Sequence, residues 1–191
     1  MEFIATAAFG LEGLVKQELT DLGFEARAEQ GGARFKGDLK DALLTNLHLS
    51  CADRVLILLG EKKVTSFEEL FQFVLSLPFE DFLGKDAAFP VSGNCVRSQL
   101  MSVSDCQSIT KKAIVERLKR KYRLTWFPET GSRYPINVAI HRDIAKVTID
   151  TSGDALNKRG YRTWVGEAPI RETLAAALVR LSGWQPDQVF Y

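Results

Sequence analysis

Apolar positions in residues 1–60 recur at two spacings, one typical of strands and the other of helices. Short apolar or alternating runs between turn residues predict four strands, at residues 3–9, 24–30, 33–36 and 54–59. A helix with a leucine-rich face is predicted between the first two strands, and Asp38 is a suitable N-cap for another before the fourth. The buried face of this second helix is predicted to consist of Leu39, Leu43 and Leu47. The resulting order, β-α-β-β-α-β, is that of a ferredoxin-like domain.

The pattern over residues 61–152 predicts a second α/β domain. Ser66 and Glu69 have the spacing of a capping box, so a helix is predicted to begin there and to end before Pro78. A strand at 89–96 is followed by a polar loop and a long helix. Beyond them, alternation predicts a hairpin with one buried face, formed by Ile136, Val138, Ile140, Ala145, Val147 and Ile149.

From Thr151 the sequence becomes polar and rich in glycine, as a linker would be. Pro169 fits the first turn of a final helix, and Gly183 fits its end. The apolar stripe of this helix consists of Ile170, Leu174, Ala177, Leu178 and Leu181. Residues 188–191 resemble the start of a strand, where the sequence stops. We therefore expect a truncated sequence, in which the stripe is exposed or packs on a second copy of the chain.

Composition restricts the partners of the protein. A formal net charge of +1 gives little general attraction to polyanions, so nucleic-acid binding would need a local basic patch. Cys51, Cys95 and Cys106 do not have a metal-ligand spacing, so no metal site is expected. The chain shows neither a signal peptide nor an apolar run of membrane length. These features predict a cytoplasmic protein with free thiols and no membrane partner.

The side chains best suited to bind anions are concentrated in residues 94–123. Ser104 and Gln107 have the spacing of a capping box at the start of the long helix. The N-terminus of that helix would offer a phosphate unpaired N–H groups and the positive end of the helix dipole, beside Lys111. The alternative is a solvated helix whose lysines serve only solubility.

Three stretches resemble the bacterial THUMP-containing RNA methyltransferases that form N2-methylguanine in large-subunit ribosomal RNA. Residues 6–12 match the start of that family, and residues 104–114 match the THUMP helix. The most specific match is Leu156–Arg162 with Ala168–Leu178, which is similar to the linker and first helix of a class I methyltransferase domain.

The resemblance covers the whole chain and implies an α+β fold. Residues 1–60 would form a ferredoxin-like domain packed on an α/β THUMP domain at 61–152. Residues 153–191 would be a linker and the first helix of a missing Rossmann-like methyltransferase domain. In the intact protein, the THUMP domain would position structured RNA for S-adenosylmethionine-dependent methylation of guanine N2 in 23S rRNA.

The residues themselves indicate where RNA would bind, and the resemblance implies where the cofactor would bind. A helix N-terminus, hydroxyls and cations converge at the expected RNA contacts Arg97, Ser104, Gln107, Lys111 and Lys112, with Arg142 and Lys146 of the hairpin as the alternative location. The expected edge of the cofactor pocket consists of Arg159, Tyr161, Arg162 and Pro169, although these residues could equally serve only to pack the linker. The glycine-rich cofactor loop and the target-amine motif of the family do not occur in the sequence. We therefore expect no methyltransferase activity, no catalytic residue and no complete cofactor site in this chain alone.

Two alternatives stay open at this point. A tRNA-modifying enzyme similar to 4-thiouridine synthetase would share the first two domains, with tRNA as the partner. A stand-alone THUMP adaptor would bind RNA without any attached enzyme. The Arg159-Gly160-Tyr161-Arg162 linker argues against the synthetase.

Overall fold

The structure, a computed structural model, describes residues 1–164 and 166–189. The last two residues of the predicted strand start at 188–191 therefore lie outside the described residues. The chain divides into two compact units. The first consists of Met1–Leu56 with the described residues from Thr151 onward, and the second of Ile57–Asp150.

The first unit has the predicted β-α-β-β-α-β order. Its elements are β1 (Glu2–Thr6), α1 (Glu12–Asp21), β2 (Ala26–Glu29), β3 (Gly32–Lys36), α2 (Leu39–His48) and the start of β4 (Arg54–Lys63). The strand order is β2-β3-β1-β4, and β3 is antiparallel to both β2 and β1. The Phe3 ring stacks on Phe35 with a centroid distance of 5.3 Å, over the buried Val15 and Leu19 of α1.

The side of α2 that faces the core differs from the prediction. Asp38 is the expected N-cap, because its carboxylate accepts from the backbone of Lys40 and Asp41. The leucines expected inside are outside, since Leu39, Leu43 and Leu47 are 54%, 67% and 71% exposed. The buried residues of the helix are instead Ala42 and Thr45. Their small side chains allow close packing, and the hydroxyl of Thr45 is satisfied by the backbone of its own helix.

Besides the rest of β4, the second unit contains two helices, a short 3-10 turn and three further strands. In chain order they are α3 (Phe67–Ser76), the 3-10 turn (Phe79–Asp81), β5 (Val91–Val96), α4 (Val103–Tyr122), β6 (Ile136–His141) and β7 (Ile144–Asp150). The strand order is β4-β7-β6-β5, with β5 parallel to β6 and β6 antiparallel to β7. The predicted hairpin is β6–β7, and all six of its predicted inward side chains are buried.

A half-buried ion pair holds α4 to the short 3-10 turn that follows α3. The guanidinium of Arg117 donates to both carboxylate oxygens of Glu80, at 2.9 and 2.6 Å, and to the carbonyl of Leu75 at the end of α3. The hydrogen bond from Arg117 holds the pKa of Glu80 below its usual value. The capping box at the start of α3 is only half formed: Ser66 accepts from the Glu69 amide, whereas the Glu69 carboxylate binds residue 65, one position too early.

The residues after Thr151 are anchored within the first unit by polar contacts. Arg159 donates to the carbonyl of Leu49 at 2.6 Å, at the C-terminal end of α2. Helix α5 (Glu172–Leu181) is bound through Thr173 to Asp53 at 3.0 Å and through Arg180 to Glu18 at 3.2 Å.

The apolar stripe of α5 faces solvent in the described part of the chain, as predicted for its large side chains. Ile170, Leu174, Leu178 and Leu181 are exposed, whereas Ala177 is buried. The predicted helix start was wrong: α5 begins at Glu172, so Pro169 precedes it. The reason is that Arg162 binds the Ile170 carbonyl and the Glu172 carboxylate, which holds the intervening residues extended.

Gly32 offers a sharp test of this arrangement. A Cβ at Gly32 would collide with the backbone carbonyl of Ala5, so Gly32→Ala should disrupt β1–β3 pairing and lower the free energy of unfolding by about 1–3 kcal/mol. Gly13→Ala in α1 is the matched control, because a Cβ there meets no atom within 4 Å. It should be neutral or stabilise the protein by about 0.5–1 kcal/mol. Urea unfolding followed by circular dichroism measures both, and equal stabilities would contradict the packing described.

Candidate nucleic-acid interface

Two arginines directly follow neighbouring strands at the same end of the second unit. Because β5 and β6 are parallel and Val96 is in register with His141, Arg97 and Arg142 directly follow the carboxyl ends of neighbouring strands. Both residues lie in the left-handed backbone region, with φ of 50° and 51°, and the Arg142 amide donates to the Val96 carbonyl at 3.1 Å. Both are exposed, and neither guanidinium forms a hydrogen bond or an ion pair among the described residues.

Asp143 organises the loop that carries Arg97. Its carboxylate accepts from the Ser98 hydroxyl at 2.9 Å and from the Gln99 amide at 2.8 Å. These hydrogen bonds, first that of the Gln99 amide, lower the pKa of Asp143. The carbonyl of Asp143 also accepts from the Val64 amide at 2.7 Å, which fixes the hairpin tip. Sequence reasoning gave Asp143 no role, although an aspartate in a two-residue turn is a recognisable signal for such bonding.

The N-terminus of α4 borders the same loop, but its cap is not the predicted one. Ser102 is the N-cap and accepts from the Asp105 amide at 3.4 Å, whereas Ser104 already lies in the first turn. The predicted Ser104–Gln107 capping box was therefore wrong, because Ser102 is extended and satisfies the helix start two residues earlier. Asp105 places a negative charge in the first turn. Because this charge repels anions, binding of an anion at this N-terminus would require the nearby arginines as well as the helix dipole.

Lys111 is engaged inside the protein rather than free. Its Nζ atom lies 2.6 Å from a carboxylate oxygen of Glu129, donates to the Phe89 carbonyl at 3.0 Å and stands 3.8 Å above the Phe89 ring. Glu129 neutralises the charge that was expected to meet a phosphate. Lys111 therefore ties the segment after α4 to the start of β5.

The remaining predicted RNA contacts lie in two other places. Gln107 and Lys112 line a shallow cavity between α4 and the edge strand β5, together with Pro90 and Lys111. Lys112 is exposed. Lys146 pairs with Ala139 and lies between the buried Ala145 and Val147 in β7. Because side chains alternate along a strand, Lys146 lies on the face of the sheet opposite to that of these two buried residues. The structure thus brings Arg97 and Arg142 together with the α4 N-terminus, and separates Lys146 from them.

The predicted cofactor-edge residues are mainly occupied with the linker. Arg159 is bound to α2, and Arg162 is bound to Ile170 and Glu172. Tyr161 and Pro169 are exposed. In the described part of the chain, no group of three or more His, Cys, Asp or Glu side chains is placed to hold a metal ion. No helix among residues 1–164 and 166–189 is long and apolar enough to cross a membrane.

Three family models match consecutive parts of the chain. They are an RlmL ferredoxin-like domain over residues 2–56, a THUMP domain over residues 64–150 and an RMKL-like methyltransferase domain over residues 159–191. These matches confirm the predicted α+β class with its ferredoxin-like and THUMP domains.

Known proteins of about twice the length are similar to the chain. "Putative RNA methyltransferase YpsC" of Bacillus subtilis (strain 168) is 44% identical over 189 residues, covering 98% of this chain and 49% of that protein. The crystal structure of a "predicted N6-adenine-specific DNA methylase" from Listeria monocytogenes str. 4b F2365 has 50% identity and a TM-score of 0.95, over 100% of this chain and 50% of that one. SMU.472, complexed with SAH, has 42% identity and a TM-score of 0.91, over 98% and 50% of the two chains. The chain therefore spans about half the length of the relatives it matches.

Proposed function

Because the chain consists of an RlmL-type ferredoxin-like domain, a THUMP domain and the beginning of an RMKL-like methyltransferase domain, we propose that it is the RNA-binding N-terminal portion of an S-adenosylmethionine-dependent RNA methyltransferase. Its substrate would be structured RNA, with guanine N2 of 23S rRNA as the target in the cytoplasm. The name of YpsC supports RNA as the substrate, and SAH in SMU.472 supports the cofactor. The domains would occupy residues 1–60, 61–152 and 153–191.

The observation that carries the RNA-binding proposal is the pair of exposed arginines at the end of the THUMP sheet. Two guanidiniums that follow neighbouring parallel strands can contact adjacent phosphates bidentately. The loop that holds one of them is fixed by Asp143, so little conformational freedom is lost on binding. Ser104 adds a hydroxyl at the start of α4, and Gln107 and Lys112 extend the polar surface along β5.

The relatives also suggest different substrates and enzymes. The Listeria relative is named as a DNA methylase, whereas the THUMP domain and the name of YpsC favour RNA. A 4-thiouridine synthetase or a stand-alone adaptor is less favoured, because the methyltransferase model matches the residues after the THUMP domain. A duplex DNA competitor in the binding experiment below separates the two nucleic acids.

The arginine pair predicts a specific pattern of RNA binding. Arg97→Gln and Arg142→Gln should each weaken binding across RNA sequences and reduce the salt dependence by a slope of about 0.7–0.9, because each removes a phosphate contact. Arg123→Gln is the matched control: Arg123 is an exposed arginine with φ of 55°, at the opposite end of α4. Filter retention of structured RNA at several salt concentrations measures these changes.

Lysine variants and a DNA competitor, measured in the same binding experiment, test the location of the site independently. Lys111→Gln should lower thermal stability more than RNA affinity, because Lys111 is paired with Glu129 and Phe89. If Lys112→Gln alone weakens binding while the arginine variants bind normally, the RNA lies along β5 and α4 instead. Tighter binding of duplex DNA than of RNA would contradict the proposed substrate class.

The isolated chain should not bind the cofactor measurably. The sequence lacks the family's glycine-rich cofactor loop, and Arg159 and Arg162 are used to anchor the linker. Isothermal titration with S-adenosylmethionine should give no binding heat, whereas an RNA titration of the same sample verifies that it is competent. Micromolar affinity for the cofactor would show that residues of this chain form a pocket by themselves.

The exposed stripe of α5 predicts self-association of the isolated chain. In the intact protein we propose that the rest of the methyltransferase domain covers it. Without that domain, a second copy can bury these leucines, each worth about 1.5–3 kcal/mol when fully buried. Leu178→Glu should then shift sedimentation equilibrium toward monomer, while Leu43→Glu on the exposed face of α2 should not. A monomeric wild type would contradict the proposal, and dissociation by Leu43→Glu alone would place the contact on α2.

A further inference from the structure

Two cysteines face each other beside the loop that carries Arg97. Cys95 is in β5 and Cys106 is in the first turn of α4, and their Sγ atoms are 3.6 Å apart. Both are free thiols. Cys106 is only 1% exposed, whereas Cys95 is half-buried and lines an open cavity with Arg97, Ser98 and Gln99. A reagent in solvent can therefore reach one sulfur, which is in contact with the other.

We propose that Cys95 and Cys106 form a reversible disulfide that regulates the adjoining loop. A disulfide would link the first turn of α4 covalently to β5. The intervening loop, which includes the segment from Arg97 to Ser104, would then be part of a closed covalent ring. The effect on RNA rests on the proposed function, whereas formation of the disulfide does not.

The geometry requires only a small movement. Disulfide sulfurs lie about 2.05 Å apart, so the two Sγ atoms must approach by about 1.5 Å. Rotation of the side chain of Cys95 toward the helix can supply part of this distance, and the first turn of α4 must supply the rest. The loop bonds between Ser98, Gln99 and Asp143 would be strained by such a shift, because Asp143 is fixed by the hairpin. Oxidation should therefore displace Arg97 from the position described above.

The chemistry is thiol–disulfide exchange with a small disulfide such as oxidised glutathione. The accessible Cys95, as its thiolate, attacks one sulfur of the reagent, and a glutathione thiolate leaves. The Cys106 sulfur then loses its proton to water and attacks the mixed disulfide, which releases the second glutathione. Two protein thiols are oxidised and one small disulfide is reduced to two thiols, so two electrons are transferred.

The two cysteines have unequal roles in this sequence. Burial, first, and then the contact with Cys95 and the charge of Asp105 raise the pKa of the Cys106 thiol. Cys106 is thus poorly suited to the first attack but is in contact with the sulfur on which the intermediate forms. The second step should limit the rate, and it should accelerate roughly tenfold per pH unit below the pKa of Cys106.

Treatment of the full chain with oxidised glutathione tests the disulfide directly. Mass spectrometry should show a loss of about 2 Da, a peptide linked through Cys95 and Cys106, and full reversal by dithiothreitol. Cys95→Ser and Cys106→Ala should each prevent the link, and Cys51, buried in the first unit, should stay unmodified. A lasting glutathione adduct on Cys95, or no reaction while circular dichroism shows a folded protein, would overturn the proposal.

The effect on RNA is measured separately with the same samples. Oxidised wild type should bind structured RNA at least threefold more weakly than reduced wild type, and Cys95→Ser should not respond to the oxidant. Unchanged affinity with a complete disulfide would overturn the regulatory role. Absence of RNA binding in both redox states would instead contradict the proposed function and leave the disulfide standing.

Discussion

The parallel pairing of β5 with β6 is the constraint on which the candidate interface depends. Parallel neighbours cannot be joined by a tight turn, so the chain must cross over through α4 before β6 begins. The crossover places the end of β5, the start of α4 and the end of β6 at the same end of the unit. Arg97 and Arg142 are adjacent for this reason, although 44 positions separate them in the sequence.

Several other cations of the described residues stabilise the fold itself. Lys111 is paired with Glu129, and Arg117 with Glu80. In the first unit, Arg159 caps the end of α2 and Arg180 is paired with Glu18. In a chain with a net charge of only +1, the proposed attraction to RNA would therefore depend on where exposed cations lie together, as Arg97 and Arg142 do, rather than on the charge of the whole surface.

Helix α2 illustrates where sequence periodicity reaches its limit. The leucines at 39, 43 and 47 form a regular stripe, yet Ala42 and Thr45 face the core. The spacing of apolar residues shows that a helix has an apolar side. Which side is buried depends on how closely the helix packs against the sheet and on the size of the side chains that fit between them. Local chemistry was a better guide at Asp38, whose capping of α2 depends only on the next few residues. It was a poorer guide at Ser104, because Ser102 competes for the same role.

The sequence by itself determined the order of strands and helices and the β6–β7 hairpin, because these follow from local spacing and turn residues. The exposure of the large side chains on α5 does not follow from their spacing, which alone would indicate a buried stripe. The resemblance of its motifs also identified the ferredoxin-like and THUMP domains. Only the tertiary structure decided that Lys111 is neutralised by Glu129, that Asp143 holds the Arg97 loop, and that Cys95 contacts Cys106. These facts depend on side chains brought together by strand register and helix packing, over separations that no local pattern encodes.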